Sequence, residues 1–165
     1  MGSLEQLIRL LAGARVEFIV VGGVAAAIHG SARLTLDLDI VYRRTPENIT
    51  RLAECLAPYH PYLRGAPPGL PFRFDAETVQ RGLNFTLMTD LGALDLFGEI
   101  TGGGTYEDLL PHSVELSVFG VSCRCAGLKA LIQLKRAAGR PRDLEAVAEL
   151  EVLLEETEKA GDQGG

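Results

Sequence analysis

Phe18-Ile19-Val20-Val21-Gly22-Gly23-Val24-Ala25-Ala26-Ala27-Ile28-His29-Gly30, followed shortly by Asp37-Leu38-Asp39-Ile40, is the stretch that decides the fold. Glu17 to Val21 is a short, nearly all-apolar run, the signature of a strand buried on both faces. Gly22-Gly23 breaks it, and Val24 to His29 reads as a short helix closed by Gly30. From Arg33 to Val41 the pattern alternates strictly. Leu34, Leu36, Leu38 and Ile40 face one way, while Arg33, Thr35, Asp37 and Asp39 face the other. The order is strand, double glycine, helix, strand.

Outward from this unit the elements alternate in kind. Upstream, Ser3 is a candidate N-cap with Gln6 completing a capping box. Leu4, Leu7, Ile8 and Leu11 then keep helical spacing as far as Gly13. Downstream, Thr45-Pro46 opens a helix carrying Ile49, Leu52, Ala53 and Leu56. Pro58 to Pro71 holds five of the eight prolines and reads as an exposed loop. Asp75 caps a short helical turn, and Leu83 to Met88 and Ala93 to Phe97 are strands joined as a hairpin through Thr89-Asp90-Leu91-Gly92. Gly102-Gly103-Gly104 is a turn, Tyr106 to Leu110 a brief helical piece, and Val114 to Cys125 two short strands bent at Gly120. Helices follow at Leu128–Ala138 and from Arg142 to about Lys159, with a disordered tail expected over 161–165. The expected fold class is α+β: a small mixed β-sheet with helices packed on one side, plus C-terminal helices. One domain is expected over 1–160, its C-terminal helical part spanning about 126–160.

Composition agrees with a globular chain. The protein has 165 residues, 47% of them hydrophobic and 23% charged, which excludes disorder and collagen-like repeats. No apolar run approaches the roughly 18 residues of a membrane helix, and Met1 to Leu11 lacks a signal-peptide layout. No membrane partner and a cytoplasmic location are therefore expected. Three cysteines, an odd number, fit reduced thiols, and Cys123-x-Cys125 lacks the second pair that a zinc site needs. The net charge of −6 gives no global attraction to nucleic acid.

Asp37 and Asp39, at i and i+2 on a strand, project from one face a few ångströms apart and repel. A basic neighbour such as Arg33, or a divalent cation, compensates such a pair. Carboxylate oxygens suit Mg²⁺ or Mn²⁺, which also take phosphate oxygens. The glycines and the helix start at Gly22-Gly23 offer a phosphate cradle. Read alone, an Asp-x-Asp strand is a solvated face; next to the strand–Gly-Gly–helix unit it reads as a site.

Val21-Gly22-Gly23, thirteen intervening residues and Asp37-Leu38-Asp39-Ile40 together resemble the signature of the nucleotidyltransferase superfamily with the DNA-polymerase-β-type fold. Gly30-Ser31-Ala32-Arg33-Leu34-Thr35-Leu36-Asp37 resembles its bacterial toxin–antitoxin and abortive-infection (AbiEii-like) branch. So does Leu131-Ile132-Gln133-Leu134-Lys135-Arg136-Ala137-Ala138-Gly139-Arg140-Pro141-Arg142-Asp143-Leu144. The likeness runs from about Phe18 to Leu150. It implies a nucleotidyltransferase that uses Mg²⁺ (or Mn²⁺) to move a nucleoside monophosphate from an NTP to a hydroxyl or phosphate acceptor. The acceptor could be RNA or a protein, and a cognate toxin or antitoxin a partner. It further implies that Asp37 and Asp39 bind the metal and that a third carboxylate completes the site.

Asp95, an isolated acid in Leu94-Asp95-Leu96, is preferred for that role over Asp90, which lies in a turn where Asp is expected anyway. The three carboxylates are expected to converge on one divalent ion. Gly22, Gly23, Arg33, Thr35, Lys135, Arg140 and Asp143 are the expected nucleotide-binding residues, with Lys135 also counted as catalytic. The basic run from Arg124 to Arg142 can equally be a helix end complementing its dipole. Asp143 can equally be an ordinary first-turn acid. The alternative overall is a non-catalytic nucleotide- or protein-binding member of a toxin–antitoxin pair.

Overall fold

The computed structural model describes residues 3–32 and 37–163. The helix α1 (Ser3–Gly13) buries Leu7, Ile8 and Leu11, its i, i+1, i+4 stripe. It includes Ser3 as a helical residue rather than as the cap ahead of it. Next comes β1 (Phe18–Val21), followed without a linker by α2 (Gly22–Ile28) and then by β2 (Leu38–Tyr42). Residues 33–36, on which the Arg33 and Thr35 expectations fall, lie outside the described residues. The helix α3 (Pro46–Leu56) has Thr45 as its cap, accepting from the Asn48 N–H at 3.3 Å.

The proline-rich segment is not all loop. Tyr62–Leu63 forms β3, pairing antiparallel with β4 (Phe85–Thr89) through Tyr62↔Met88 and Leu63↔Leu87. Between them Asp75 caps α4 (Ala76–Arg81) by accepting from the Thr78 N–H at 2.9 Å. The strand β5 (Gly92–Phe97) forms the expected hairpin with β4. A two-residue ribbon, β6 (Glu99–Ile100) with β7 (Gly104–Thr105), encloses the triple-glycine turn. After the one-turn α5 (Tyr106–Leu109), β8 (Ser113–Val118) and β9 (Val121–Ala126) make a second hairpin. Two helices close the chain, α6 (Leu128–Ala138) and α7 (Pro141–Gln163). The last helix runs through Gly161 to Gln163, past the point where a disordered tail was expected; a Glu155–Lys159 i, i+4 pair supports its final turns.

The main sheet has seven strands in the order β3-β4-β5-β2-β1-β9-β8. The pairs β1–β2, β3–β4, β4–β5 and β8–β9 are antiparallel, whereas β1–β9 and β2–β5 are parallel, so the α+β class and the mixed sheet stand. Successive residues of the two middle strands are buried alike: Ile19 and Val20 on β1, Leu38, Ile40, Val41 and Tyr42 on β2 are all fully covered. That double burial is why β1 reads as an unbroken apolar run. Asn48 at the start of α3 is fully buried. It accepts from the Glu17 N–H at 2.6 Å and donates to the Glu17 and Arg43 carbonyls, pinning α3 to the strand ends.

Candidate active site

The parallel pairing of β2 with β5 sets Asp39 opposite Asp95. The antiparallel pairing of β1 with β2 sets Val21, the last residue before the glycines, opposite Asp39. Parallel neighbours lie about 4.8 Å apart, so the two carboxylates meet side by side. The Asp39 carboxyl is pushed up from 3.8 to about 7. Burial is the largest cause, followed by the charge of Asp95, the hydrogen bond with it, and the charge of Asp37; Lys135 pulls the other way.

Gly22 has φ +69°, and the space its Cβ would take is filled by the Asp39 carboxylate. The glycine expected to admit a phosphate therefore makes room for the acid of the next strand. Gly23, Asp37, Asp39, Asp95 and Lys135 line one cavity of about 610 Å³, whose far wall is Arg140, Arg142, Asp143 and Glu149 of the C-terminal segment. A second cavity of about 360 Å³ shares Asp39, Phe97, Lys135, Arg140 and Asp143 with it and adds the apolar side chains of Ile100, Leu131 and Leu134.

The C-terminal cations are organised by one acid. Asp143, only 1% exposed, accepts from the Arg140 Nε at 2.6 Å, from the Arg140 backbone N–H at 3.2 Å and from the Lys135 Nζ at 3.4 Å. The Arg140 hydrogen bond, foremost, holds its carboxyl below the usual range. Asp143 thus fixes Lys135 and Arg140 on the cavity wall through their own charges. Ser31, just beyond α2, donates to Glu149 of α7 and ties the two motif regions together.

Asp95 carries a neighbour that the sequence reading did not name. Arg64, the residue after β3, donates from Nη2 to the Asp95 Oδ1 at 2.7 Å. Asp90, the competing acid, instead sits in the exposed hairpin turn against His60 at 2.6 Å. Asp37 is exposed immediately ahead of β2. Among the described residues no three His, Cys, Asp or Glu side chains are gathered closely enough to hold a metal ion. The structure brings Asp39 and Asp95 together and puts Asp37 on the same cavity without drawing it into a three-carboxylate cage. The donor set still fits a hard cation: two hard-oxygen carboxylates of adjacent strands, whose mutual repulsion a divalent charge would relieve.

No family model matches the sequence, and no curated protein matches it. Among solved structures, the chain is similar to a Thermotoga maritima protein provisionally named a nucleotidyltransferase. The TM-score is 0.56 at 16% identity, over 90% of this chain and 94% of that one. This is the nucleotidyltransferase fold. Within it, β1, α2 and β2 carry the glycine and aspartate motifs. The resemblance to the toxin–antitoxin branch rests on the sequence of residues 30–37 and 131–144 alone, since identity at this level speaks for the fold only. No helix among the described residues is long and apolar enough to cross a membrane.

Proposed function

We propose that this protein is a metal-dependent nucleotidyltransferase that transfers a nucleoside monophosphate from an NTP to a hydroxyl or phosphate acceptor. One observation carries the reading. Asp39 and Asp95 stand in register on adjacent parallel strands, on a cavity that also presents Lys135 and Arg140. Carboxylates from two strands facing a pair of fixed cations suit a triphosphate between them, its charge balanced from both sides.

Asp39 and Asp95 would hold Mg²⁺ or Mn²⁺, with Asp37 beside them on the same cavity; the ion when bound supplies charge neutralisation and alignment of the phosphates. Lys135 and Arg140, held by Asp143, meet the phosphate oxygens. Asp95 takes the proton of the acceptor hydroxyl. The acceptor oxygen bonds to the α-phosphorus, the bond from that phosphorus to the β-phosphate oxygen breaks, and pyrophosphate leaves. The motif likeness to the toxin–antitoxin branch supports RNA or a protein as acceptor, a cognate partner chain and a cytoplasmic setting.

The test is incubation with each α-labelled NTP, Mg²⁺ and total RNA or candidate protein, with Asp39→Asn and Asp95→Asn alongside. Label transfer by the wild type and its loss in both variants supports the reading. NTP binding without transfer to any acceptor overturns it in favour of a non-catalytic binding member.

A further inference from the structure

We propose that Arg64 is an internal counter-cation of the site: it occupies the Asp95 carboxylate in the metal-free protein and must yield it when a divalent ion binds, thereby setting the metal affinity. The inference rests on the reading of Asp39 and Asp95 as metal ligands.

The sheet register places it there. The Arg64 backbone N–H bonds the Thr86 carbonyl at 3.0 Å, Thr86 faces Asp95 across β4–β5, and Asp95 faces Asp39 across β5–β2. Arg64, Thr86, Asp95 and Asp39 thus form one row across four neighbouring chain segments. Two strand spacings, about 9.6 Å, separate the Arg64 and Asp95 backbones. Only a long side chain spans that gap, and the small Thr86 between them leaves the way clear. Arg64 is not among the residues that line the cavity, although its partner Asp95 is.

The same contacts make the tie releasable. Nη2 donates one N–H to the Asp95 Oδ1 at 2.7 Å and its other to the Leu87 carbonyl at 2.8 Å. The Nε–H, in contrast, is buried with no partner among the described residues. A permanent structural ion pair in a buried place satisfies its donors; one left with an orphaned N–H has less to lose on leaving. Arg64 also stands just past a two-residue edge strand, next to Gly65 at φ +82° and an exposed proline-rich turn. A cation arriving at Asp95 meets the guanidinium charge on the same carboxylate, and the two repel. The ion that binds is then one whose attraction exceeds the pairing with Arg64.

The experiment is Mn²⁺ titration of the metal-stripped full-length protein by calorimetry and electron paramagnetic resonance. Wild type, Arg64→Met, Arg64→Gln, Arg64→Lys, Asp95→Asn and Asp39→Asn are compared. Removing a charge-assisted hydrogen bond that competes with the ion should tighten Mn²⁺ binding about ten- to a hundredfold in Arg64→Met and Arg64→Gln. Arg64→Lys, which keeps the charge, should stay within about threefold of wild type. Combining Arg64→Met with Asp95→Asn should erase the gain, because no carboxylate remains to be released. In the wild type, the ¹⁵Nε resonance of Arg64 should move on addition of Mg²⁺, a readout independent of any Arg64 variant's folding. Equal affinity in wild type, Arg64→Met and Arg64→Gln, or an Arg64 resonance unmoved by saturating Mg²⁺, overturns the role of Arg64 alone, provided Asp39→Asn still abolishes binding. If Mn²⁺ binds neither wild type nor any Arg64 variant, the metal reading of the whole site falls with it.

Discussion

Replacing Asp39 by asparagine should stabilise the metal-free protein at neutral pH and lose that advantage in acid. The native Asp39 carboxyl titrates near 7 against 3.8 without the fold, raised by burial and then by Asp95 and Asp37. The native state therefore binds a proton more tightly than the unfolded state between these values, so stability falls as pH rises through the interval. Below about pH 4 both states are protonated and the penalty vanishes; above about pH 7 it is complete. Three pH units at about 1.36 kcal/mol each give a ceiling of about 4 kcal/mol. Asp39 retains partial solvent contact, which trims this to about 2–4 kcal/mol. Asparagine keeps the shape and removes the charge. Urea unfolding in EDTA at fixed ionic strength should show the stability difference between variant and wild type growing by about 2 kcal/mol from pH 5 to pH 8. A difference flat across that range would refute the reasoning, because it would mean that Asp39 ionises as freely in the folded protein as outside it. Millimolar Mg²⁺ at pH 8 should raise the wild-type melting temperature and leave the variant's nearly unmoved.

Three further outcomes follow from the packing. Gly22→Ala would drive a Cβ into the Asp39 carboxylate at a left-handed φ, so it should cost about 1–3 kcal/mol in urea unfolding and depress label transfer. Lys135→Ala should weaken NTP binding about ten- to a hundredfold by fluorescence titration, whereas Lys129→Ala, 80% exposed and 3.9 Å from Glu158, should change neither binding nor stability by more than about 0.5 kcal/mol. Equal losses in both variants would point to a diffuse basic patch instead. Asn48→Ala would strand the Arg43 carbonyl and the Glu17 N–H at a fully buried position and remove one of two donors to the Glu17 carbonyl, so it should cost about 3 kcal/mol in thermal or urea unfolding while NTP affinity of the folded fraction stays intact.

What could be read from the sequence was what depends on local pattern. The unbroken apolar run of β1, the Asp75 cap and the β4–β5 hairpin each announce themselves within a few residues, because burial, capping and turn chemistry act at short range. The likeness of the glycine and Asp-x-Asp motifs to nucleotidyltransferases pointed to a fold that the solved structure then matched. Isolation of Asp95 between Leu94 and Leu96 singled it out, and its partner Asp39 appears in register across the sheet. Arg64 was illegible for the opposite reason. It sits in a segment whose prolines speak for a loop, and only the pairing of a two-residue strand brings it within reach of Asp95. The two readings of Asp143 could not be separated either, since its burial comes from α7 packing on α6, a contact with no periodic trace in the first turn.

The position of β9 in the sheet bears on how the protein is made. β1 pairs with β2 on one side and, on the other, with a strand roughly a hundred residues further along the chain. During synthesis, β1 to β5 can assemble as soon as they emerge, with Asp39 and Asp95 already side by side. The outer edge of β1 then stays open until Val121–Ala126 arrives, and at about 5–20 residues per second that interval lasts seconds. An apolar central strand with one bare edge is a template for pairing with a neighbouring chain on the same message. Lys135 and Arg140 are translated later still, so a nascent chain carries Asp39 and Asp95 before these two cations of the cavity wall. A ribosome-bound chain therefore lacks part of the cavity wall while its β1 edge is open, and a factor that shields that edge would govern the yield of folded molecules without touching the finished cavity.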